Sequence, residues 1–350
     1  MKTILVTAVG SFSADAVIKT YKREGYRVVG CDIYPAQWVA NSHEVEVFYK
    51  APYATDQKAY VDFMKKVCQD QKVDYVVPLT DVEVDVLTQL KPGALGGGVC
   101  ICISGQAAIG LCRDKYRMEQ FLKPLGICET IPGILLSELF ETGGSETGMV
   151  KAEMLKAKLS DVWLSDLERF SVPLVVKPLN GRSSQGLHIV KTREELLRIS
   201  DECRQEAENY LVQPKISGTI VTVDVVREPD SGRTFCLPRR ELLRTLNGAG
   251  TSVYVFRDER LESQCGKLAE AIGITGCVNM EFVETETDGH MAWHFLECNP
   301  RFSGGVAFSC MAGYDMVKNH LRCFTGQPID EPGEIQPRYI ARKYQEYVME

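Results

Sequence analysis

The sequence has no Cys-x-x-Cys pair, although its 350 residues include 13 cysteines, an odd number. Most of them sit inside apolar segments such as Val99-Cys100-Ile101-Cys102-Ile103. That distribution argues against a disulfide framework or a thiolate metal cluster and fits reduced, buried thiols in a cytoplasmic protein. There is no long basic run either, and 40 Lys and Arg against 47 Asp and Glu leave a net charge of −7. Nucleic acid and anionic membrane are therefore poor candidates for the main partner, and any anionic ligand must be met by local positive groups. No apolar run approaches the length of a bilayer span. Lys2, the apolar run after it and Ala14-Asp15-Ala16 imitate a secretory signal. Thr7 and Gly10 interrupt that run, which reads instead as a buried strand, a turn and a helix. Internal repeats and low-complexity segments are missing. Of the five histidines, His188 and His294 fall in apolar strands and read as structural, and His43, His290 and His320 belong to no motif.

Two nucleotide signatures are also missing. The turn Ala8-Val9-Gly10-Ser11-Phe12-Ser13-Ala14 lacks the second and third glycines of the dinucleotide fingerprint. Asp32, about twenty residues on, reads as a capping or turn residue rather than a ribose ligand. No Gly-Lys-[Ser/Thr] opens a helix, so there is no Walker A loop.

What is present begins with strand–helix alternation. Thr3 to Ala8, Tyr26 to Cys31, Val73 to Val77 and Val99 to Ile103 read as strands. Val17, Ile18 and Tyr21, and then Tyr60, Met64 and Val67, recur at helical spacing. The pattern predicts an α/β fold with a doubly wound parallel sheet at the N-terminus. Ligands in such sheets lie beyond the strand C-termini, where Ser11, Asp32, Asp81 and Glu83 fall.

The character changes from Asp114. Asp114-Lys115 opens a helix. Residues 137 to 170 are charged and read as a surface insertion. Val172 to Lys177 reads as a strand, followed by the loop Leu179-Asn180-Gly181-Arg182-Ser183-Ser184-Gln185-Gly186 and the strand Leu187 to Val190. A strand ending in lysine, a Gly/Ser loop and a second strand suit a flexible phosphate cover, although each feature alone also suits a plain hairpin. Tyr210-Leu211-Val212-Gln213-Pro214-Lys215-Ile216-Ser217-Gly218 and another strand follow.

The most informative stretch is Phe295-Leu296-Glu297-Cys298-Asn299-Pro300-Arg301-Phe302-Ser303-Gly304-Gly305. Glu297, Asn299 and Arg301 stand at strand spacing, so their side chains leave on one face. Glu and Asn offer oxygen ligands to a hard divalent cation, Arg offers a planar fork to phosphate or carboxylate, and the two glycines let backbone N–H groups approach an anion. Upstream, Cys277 to Glu284 and Met291 to Cys298 read as a hairpin around Asp288-Gly289. A three-residue loop, Asp288 to His290, is expected, because it sets Glu281 across from Glu297. A two-residue Asp-Gly turn would send the two to opposite faces.

Taken together, Asp-Lys before a helix, Val-Val-Lys-Pro with its Gly/Ser loop, Val-Gln-Pro-Lys-Ile-Ser-Gly, Asn-Met-Glu-Phe-Val and Leu-Glu-Cys-Asn-Pro-Arg-Phe-Ser-Gly-Gly resemble the ATP-grasp superfamily. The branch most similar is that of the synthetase domains of carbamoyl phosphate synthase. The resemblance implies an N-terminal Rossmann-like domain over residues 1–112, an ATP-grasp domain over 113–330 with a lid subdomain at about 130–212, and a C-terminal tail over 331–350.

It further implies that Lys115 and Lys177 bind ATP phosphates, that Ser183, Ser184 and Gly186 close over them, and that Gln213 with the backbone of Lys215 and Ile216 lines the adenine slot. Glu281, Glu297 and Asn299 would hold two Mg2+ ions, with Mn2+ as a substitute, and Arg301 would stabilise the transferring phosphoryl group. Relatives usually carry acids where this chain has Gln213 and Ile220. Gln can still accept from an adenine amine, whereas Ile220 cannot accept from ribose.

The implied activity is an ATP-dependent carboxylate–amine ligase acting on small molecules through an acyl phosphate, with a homodimer as the candidate assembly. Asp81 and Glu83 are candidates for the amine, although Asp81 equally suits helix capping. Arg240 with Gly304 and Gly305 is the candidate for the carboxylate. The alternatives are activation of bicarbonate, a nucleotide-binding protein without turnover, and a dehydrogenase.

Overall fold

The computed structural model describes residues 1–139, 173–181, 185–246 and 248–349. The chain divides into two compact units. Unit 1 comprises Met1–Gly110, Val221–Glu281 and Cys298–Glu350, and unit 2 comprises Leu111–Ile220 and Phe282–Glu297.

Unit 1 begins with a five-stranded parallel sheet of β1 (Thr3–Val6), β2 (Arg27–Asp32), β3 (Val47–Lys50), β4 (Tyr75–Val77) and β5 (Cys100–Ile101), ordered β3-β2-β1-β4-β5. The helices α1 (Ala14–Arg23), α2 (Gln57–Gln71), α3 (Asp81–Leu87) and α4 (Gln106–Arg113) alternate with these strands. Alternate residues of β1 enter different cores, as the two-residue period of a strand requires. Ile4 and Val6 pack with Val17, Ile18 and Tyr21 of α1, whereas Leu5 packs with Tyr60, Met64 and Val67 of α2. The α1 core continues through Leu237, Val253, Phe302 and Met316. The N-terminal sheet therefore shares one core with the C-terminal part of the same unit.

Unit 2 opens with α5 (Lys115–Leu122), capped by Asp114, whose carboxylate accepts from the Arg117 N–H. After β6 (Glu129–Thr130) comes an antiparallel sheet of β7 (Ile134–Leu135), β8 (Leu174–Pro178), β9 (His188–Val190) and β10 (Tyr210–Pro214), ordered β7-β10-β8-β9. Leu196 and Ile199 of α6 (Arg193–Glu202) pack on Leu174, Val176 and Val212 of this sheet.

The remaining strands are β11 (Thr219–Arg227), β12 (Thr234–Arg244), β13 (Gly250–Val255), β14 (Gly276–Thr287), β15 (His290–Asn299) and β16 (Arg338–Ala341), in the order β16-β13-β12-β11-β14-β15-β6. Residues 338–341, expected in a tail, thus pair with β13. The helices α7 (Glu259–Ile272), α8 (Val306–Ala312) and α9 (Met316–Thr325) complete the α-helices among the described residues. Asp258 and Asp315 cap α7 and α9, and Gly273 and Gly326, both left-handed, end them. No helix among the described residues is long and apolar enough to cross a membrane.

The β14–β15 hairpin corrects one expectation. Its loop is the two-residue Asp288-Gly289 turn, with φ of 52° and 76°. Two positive φ values define the tight turn that matches strand twist, and Asp-Gly is a preferred sequence for it. Near the turn, Glu284 bonds Trp293 and Phe282 meets Phe295, as a two-residue turn dictates. At the far end Asn299 bonds Asn279, one residue out of step. The burial of β15 changes phase between these points: Trp293, Phe295 and Cys298 are buried, and the adjacent Leu296 and Glu297 are both partly exposed. The burial phase of β15 therefore shifts at Leu296-Glu297. Glu297 and Asn299 keep the same phase beyond it.

Candidate functional site

In unit 2 the central group is Lys115, the first residue of α5. Its Nζ donates to the Gly181 carbonyl at 3.0 Å and lies 3.3 Å from Glu297 Oε2. Its backbone N–H donates to Leu179 O, and Arg113 donates to Asn180 O. The start of the 179–186 loop is therefore fastened to the start of α5. Lys177, at the end of β8 across from Leu211, belongs to the same cluster. Burial and the neighbouring Lys115 ammonium pull Lys177 down to about 8, against the opposing influence of Glu297. Two lysines and one glutamate leave a net positive charge, which suits a polyanion. Gly186 has φ of +70°, and a Cβ there would fall 2.9 Å from Pro178, so glycine serves both the backbone turn and the close packing. Ser183 and Ser184, like residues 140–172 of the expected insertion, lie outside the described residues.

Gln213 on β10 is buried, and its Nε2 donates to Ile131 O at 2.7 Å. That commits one of the two amide hydrogens, and the carbonyl oxygen can accept from a ligand. The Lys215 N–H is bonded to Pro173 O. Ile216 is partly buried in the segment between β10 and β11.

In unit 1, Glu281 Oε2 accepts from Arg244 Nη2 at 3.0 Å. Asn299 is held by Asn279, which also donates to Arg301 O. Nε and Nη2 of Arg301 both reach Asp81 Oδ2, at 3.0 and 2.7 Å, and its Nη1 reaches Phe302 O. Two residues expected to meet different ligands are thus partners of each other.

Glu83 needs correction. It is buried and accepts from Thr7, Tyr60 and Thr80, closing the capping box of α3. Burial raises its pKa despite these donors. Its acceptors are taken by the protein, so it does not present itself to an amine.

Arg240 also needs correction. Its guanidinium lies 4.1 Å over the Phe256 ring. The strand period turns Arg239, not Arg240, toward the Ser303–Gly305 loop. Arg239 donates to Ser303 Oγ at 3.0 Å, Asp224 Oδ2 at 2.7 Å and Glu241 Oε1 at 3.1 Å. A Cβ on Gly305 would fall 2.9 Å from Arg239 Nη2, so glycine is required by this packing. The Gly304 carbonyl accepts from Arg342. The sequence reading passed over Arg239, Asp224 and Arg342. A charged residue inside an apolar strand was the available signal for Asp224, and Arg342 gave none.

No three His, Cys, Asp or Glu side chains converge as a metal cage among the described residues. Taken one by one, Glu281 and Asn299 of unit 1 and Glu297 of unit 2 each offer a hard oxygen of the kind Mg2+ takes, and the two carboxylates face cations in their own units, Arg244 and Lys115. Mg2+ takes one or two carboxylates and fills its octahedron with water and phosphate oxygens.

A family model described as ATP-grasp in the biosynthetic pathway with Ter operon matches residues 206–347, and one described as D-ala D-ala ligase C-terminus matches 145–243. The carbamoyl phosphate synthase large chain of Clostridium beijerinckii is 26% identical over 274 residues, 74% of this chain and 24% of the relative. The chain therefore spans about a quarter of that relative's length. Among solved structures, N5-carboxyaminoimidazole synthetase from Staphylococcus aureus, complexed with ADP, is similar with a TM-score of 0.69 at 18% identity, covering 97% of this chain and 82% of that one. Biotin carboxylase from Campylobacter jejuni, complexed with an ATP analogue, gives 0.69 at 17% identity, covering 94% and 72%. These structures show the fold, and the sequence matches show that the chain is similar to ATP-grasp proteins.

Proposed function

We propose that the protein is an ATP-dependent ligase that activates a carboxylate as an acyl phosphate and joins it to an amine. The observation that carries this reading is the cluster of Lys115, Lys177 and Glu297 at the base of the 179–186 loop. It gathers positive charge beside a carboxylate where a loop can cover phosphates. In this reading Lys115 and Lys177 hold the phosphates, and the loop, with Ser183, Ser184 and Gly186, excludes water from the reactive intermediate. The carbonyl of Gln213 and the backbone of Lys215 and Ile216 receive adenine.

Glu281, Glu297 and Asn299 would hold Mg2+, as two ions in this reading. Bound Mg2+ would neutralise charge on the phosphates and draw electrons from the γ-phosphorus. A substrate carboxylate oxygen attacks that phosphorus and ADP leaves. The amine lone pair then attacks the acyl carbon, phosphate leaves and the amine gives up a proton. Arg301, oriented by Asp81, faces the charge that grows on the phosphoryl oxygens, and catalysis is mostly positioning and electrostatics.

Phosphate release from Mg-ATP, screened against amino acids singly and in pairs, tests the reading. A pair that triggers release and forms a stoichiometric amide supports it. Bicarbonate is the second reading, favoured by the carbamoyl phosphate synthase relatives. Release that depends on bicarbonate alone would select it.

A further inference from the structure

The order β3-β2-β1-β4-β5 has its topological switch point between β1 and β4, where an open α/β sheet leaves a crevice at its strand C-termini. Phe12 lies in the turn after the C-terminal end of β1, and Asp81 opens α3 just after the C-terminal end of β4. An arginine reaches each turn from the C-terminal part of unit 1. Arg301 reaches Asp81 and is neutralised by it.

Arg342 differs. Its backbone N–H bonds Thr251 O just past β16, which fixes its place beside the sheet. Its guanidinium donates only to carbonyls, Phe12 O at 3.3 Å and Gly304 O at 2.5 Å. It lies 4.9 Å from the Phe12 ring centre and 5.4 Å from that of Phe308. Among the described residues no carboxylate pairs with it. Asp15 bonds Lys19, and Glu241 bonds Arg239. A half-buried guanidinium without a counter-ion is costly to hold and well suited to an incoming anion.

We infer that Arg342 is the anchor for a carboxylate of the second substrate, in the switch-point crevice beside Phe12. The inference rests on the ligase reading for the identity of the reaction, but not for the site. A carboxylate fits better than a phosphate dianion. The fork of one guanidinium matches a planar carboxylate, and the negative charges of Glu241 and Asp15 near Arg342 oppose a second charge on the ligand. The exposed face of Phe12 would receive the apolar part of the same molecule.

The test follows thermal unfolding of wild type, Arg342→Gln and Arg342→Lys with succinate, glutarate and the individual amino acids as probes. Inorganic phosphate serves as the anion control and Mg-ATP as a separate arm. The expected result is that at least one carboxylate stabilises the wild type. Arg342→Gln should weaken that ligand by about tenfold to a hundredfold, the worth of a charge-assisted hydrogen bond. Arg342→Lys should retain part of the affinity. Undiminished carboxylate binding by Arg342→Gln overturns the inference. So does the absence of any carboxylate effect on the wild type, or dependence on Arg342 for phosphate alone. If Mg-ATP stabilises none of the three proteins, the ligase reading fails while the carboxylate arm still decides the role of Arg342.

Discussion

Replacing Glu297 with Gln keeps the side-chain shape and removes its charge. Lys115 Nζ stands 3.3 Å away, and the two side chains are 11% and 29% exposed. At an effective dielectric of about 20, the gross attraction over that distance is about 5 kcal/mol. Desolvation offsets much of it, and Lys115 keeps the Gly181 carbonyl in the variant. The net cost should fall between that of an exposed pair and that of a fully buried one, about 1–2 kcal/mol. The melting temperature of the free protein should drop by a few degrees, at about 2–4 °C per kcal/mol.

Two functional effects are added to this. Lys177 loses the acid that favours its charge, so it moves below about 8. If Glu297 is a Mg2+ ligand, turnover should fall by at least about a hundredfold, the scale of losing one transition-state electrostatic partner. The assay is phosphate release with the best substrate pair, run beside thermal melts without nucleotide. Near wild-type release in Glu297→Gln would refute the placement of the metal and phosphate chemistry at this residue. Lost activity accompanied by a stability loss of about 5 kcal/mol or more would assign it a structural role instead.

Arg301→Met should leave the nearly buried Asp81 carboxylate without its fork and cost about 3–5 kcal/mol in urea unfolding. Adding Asp81→Asn should recover part of the loss, and strict additivity of the two changes would argue against the pair. ATP affinity should weaken above about pH 8, by up to tenfold per pH unit, because Lys177 loses its proton near there. A flat titration profile from pH 7.5 to about 9.5 would remove Lys177 from the phosphate site.

His320 is buried between Phe302 and Phe324, with its Nδ1 accepting from the Cys277 N–H, and burial pushes it down to about 3. Its folded pKa lies below the unfolded one, so the unfolded chain takes up the proton first. Stability is then lost as pH falls below about 6.5, at about 1.4 kcal/mol per unit at the steepest. Urea unfolding at pH 7 and 5 should differ by about 2 kcal/mol from this residue. A His320→Gln variant with the same slope would contradict the assignment.

The sequence by itself determined the parts whose physics is local. Strand–helix alternation over the first hundred residues gave the parallel sheet, because the apolar period is set by backbone geometry. Asp-Lys, the Gly/Ser loop and Glu-x-Asn-Pro-Arg carried the resemblance to ATP-grasp proteins, because each is a short run whose chemistry is readable in order. Tertiary structure decided what depends on phase and on distant partners. The hairpin turn took two residues where three were expected, and the burial phase of β15 shifts at Leu296-Glu297. A one-residue slip moves every side chain to the other face, and composition does not reveal where a strand absorbs it. Glu83 looked available and is enclosed by Thr7, Tyr60 and Thr80. Arg239 rather than Arg240 meets the Ser303–Gly305 loop, since adjacent residues of a strand differ only in direction. Arg301 found Asp81, 220 positions away in the chain. Arg342 found the backbone of Phe12, 330 positions away. Contacts at such separation follow from sheet order and shared core packing, which no local pattern encodes.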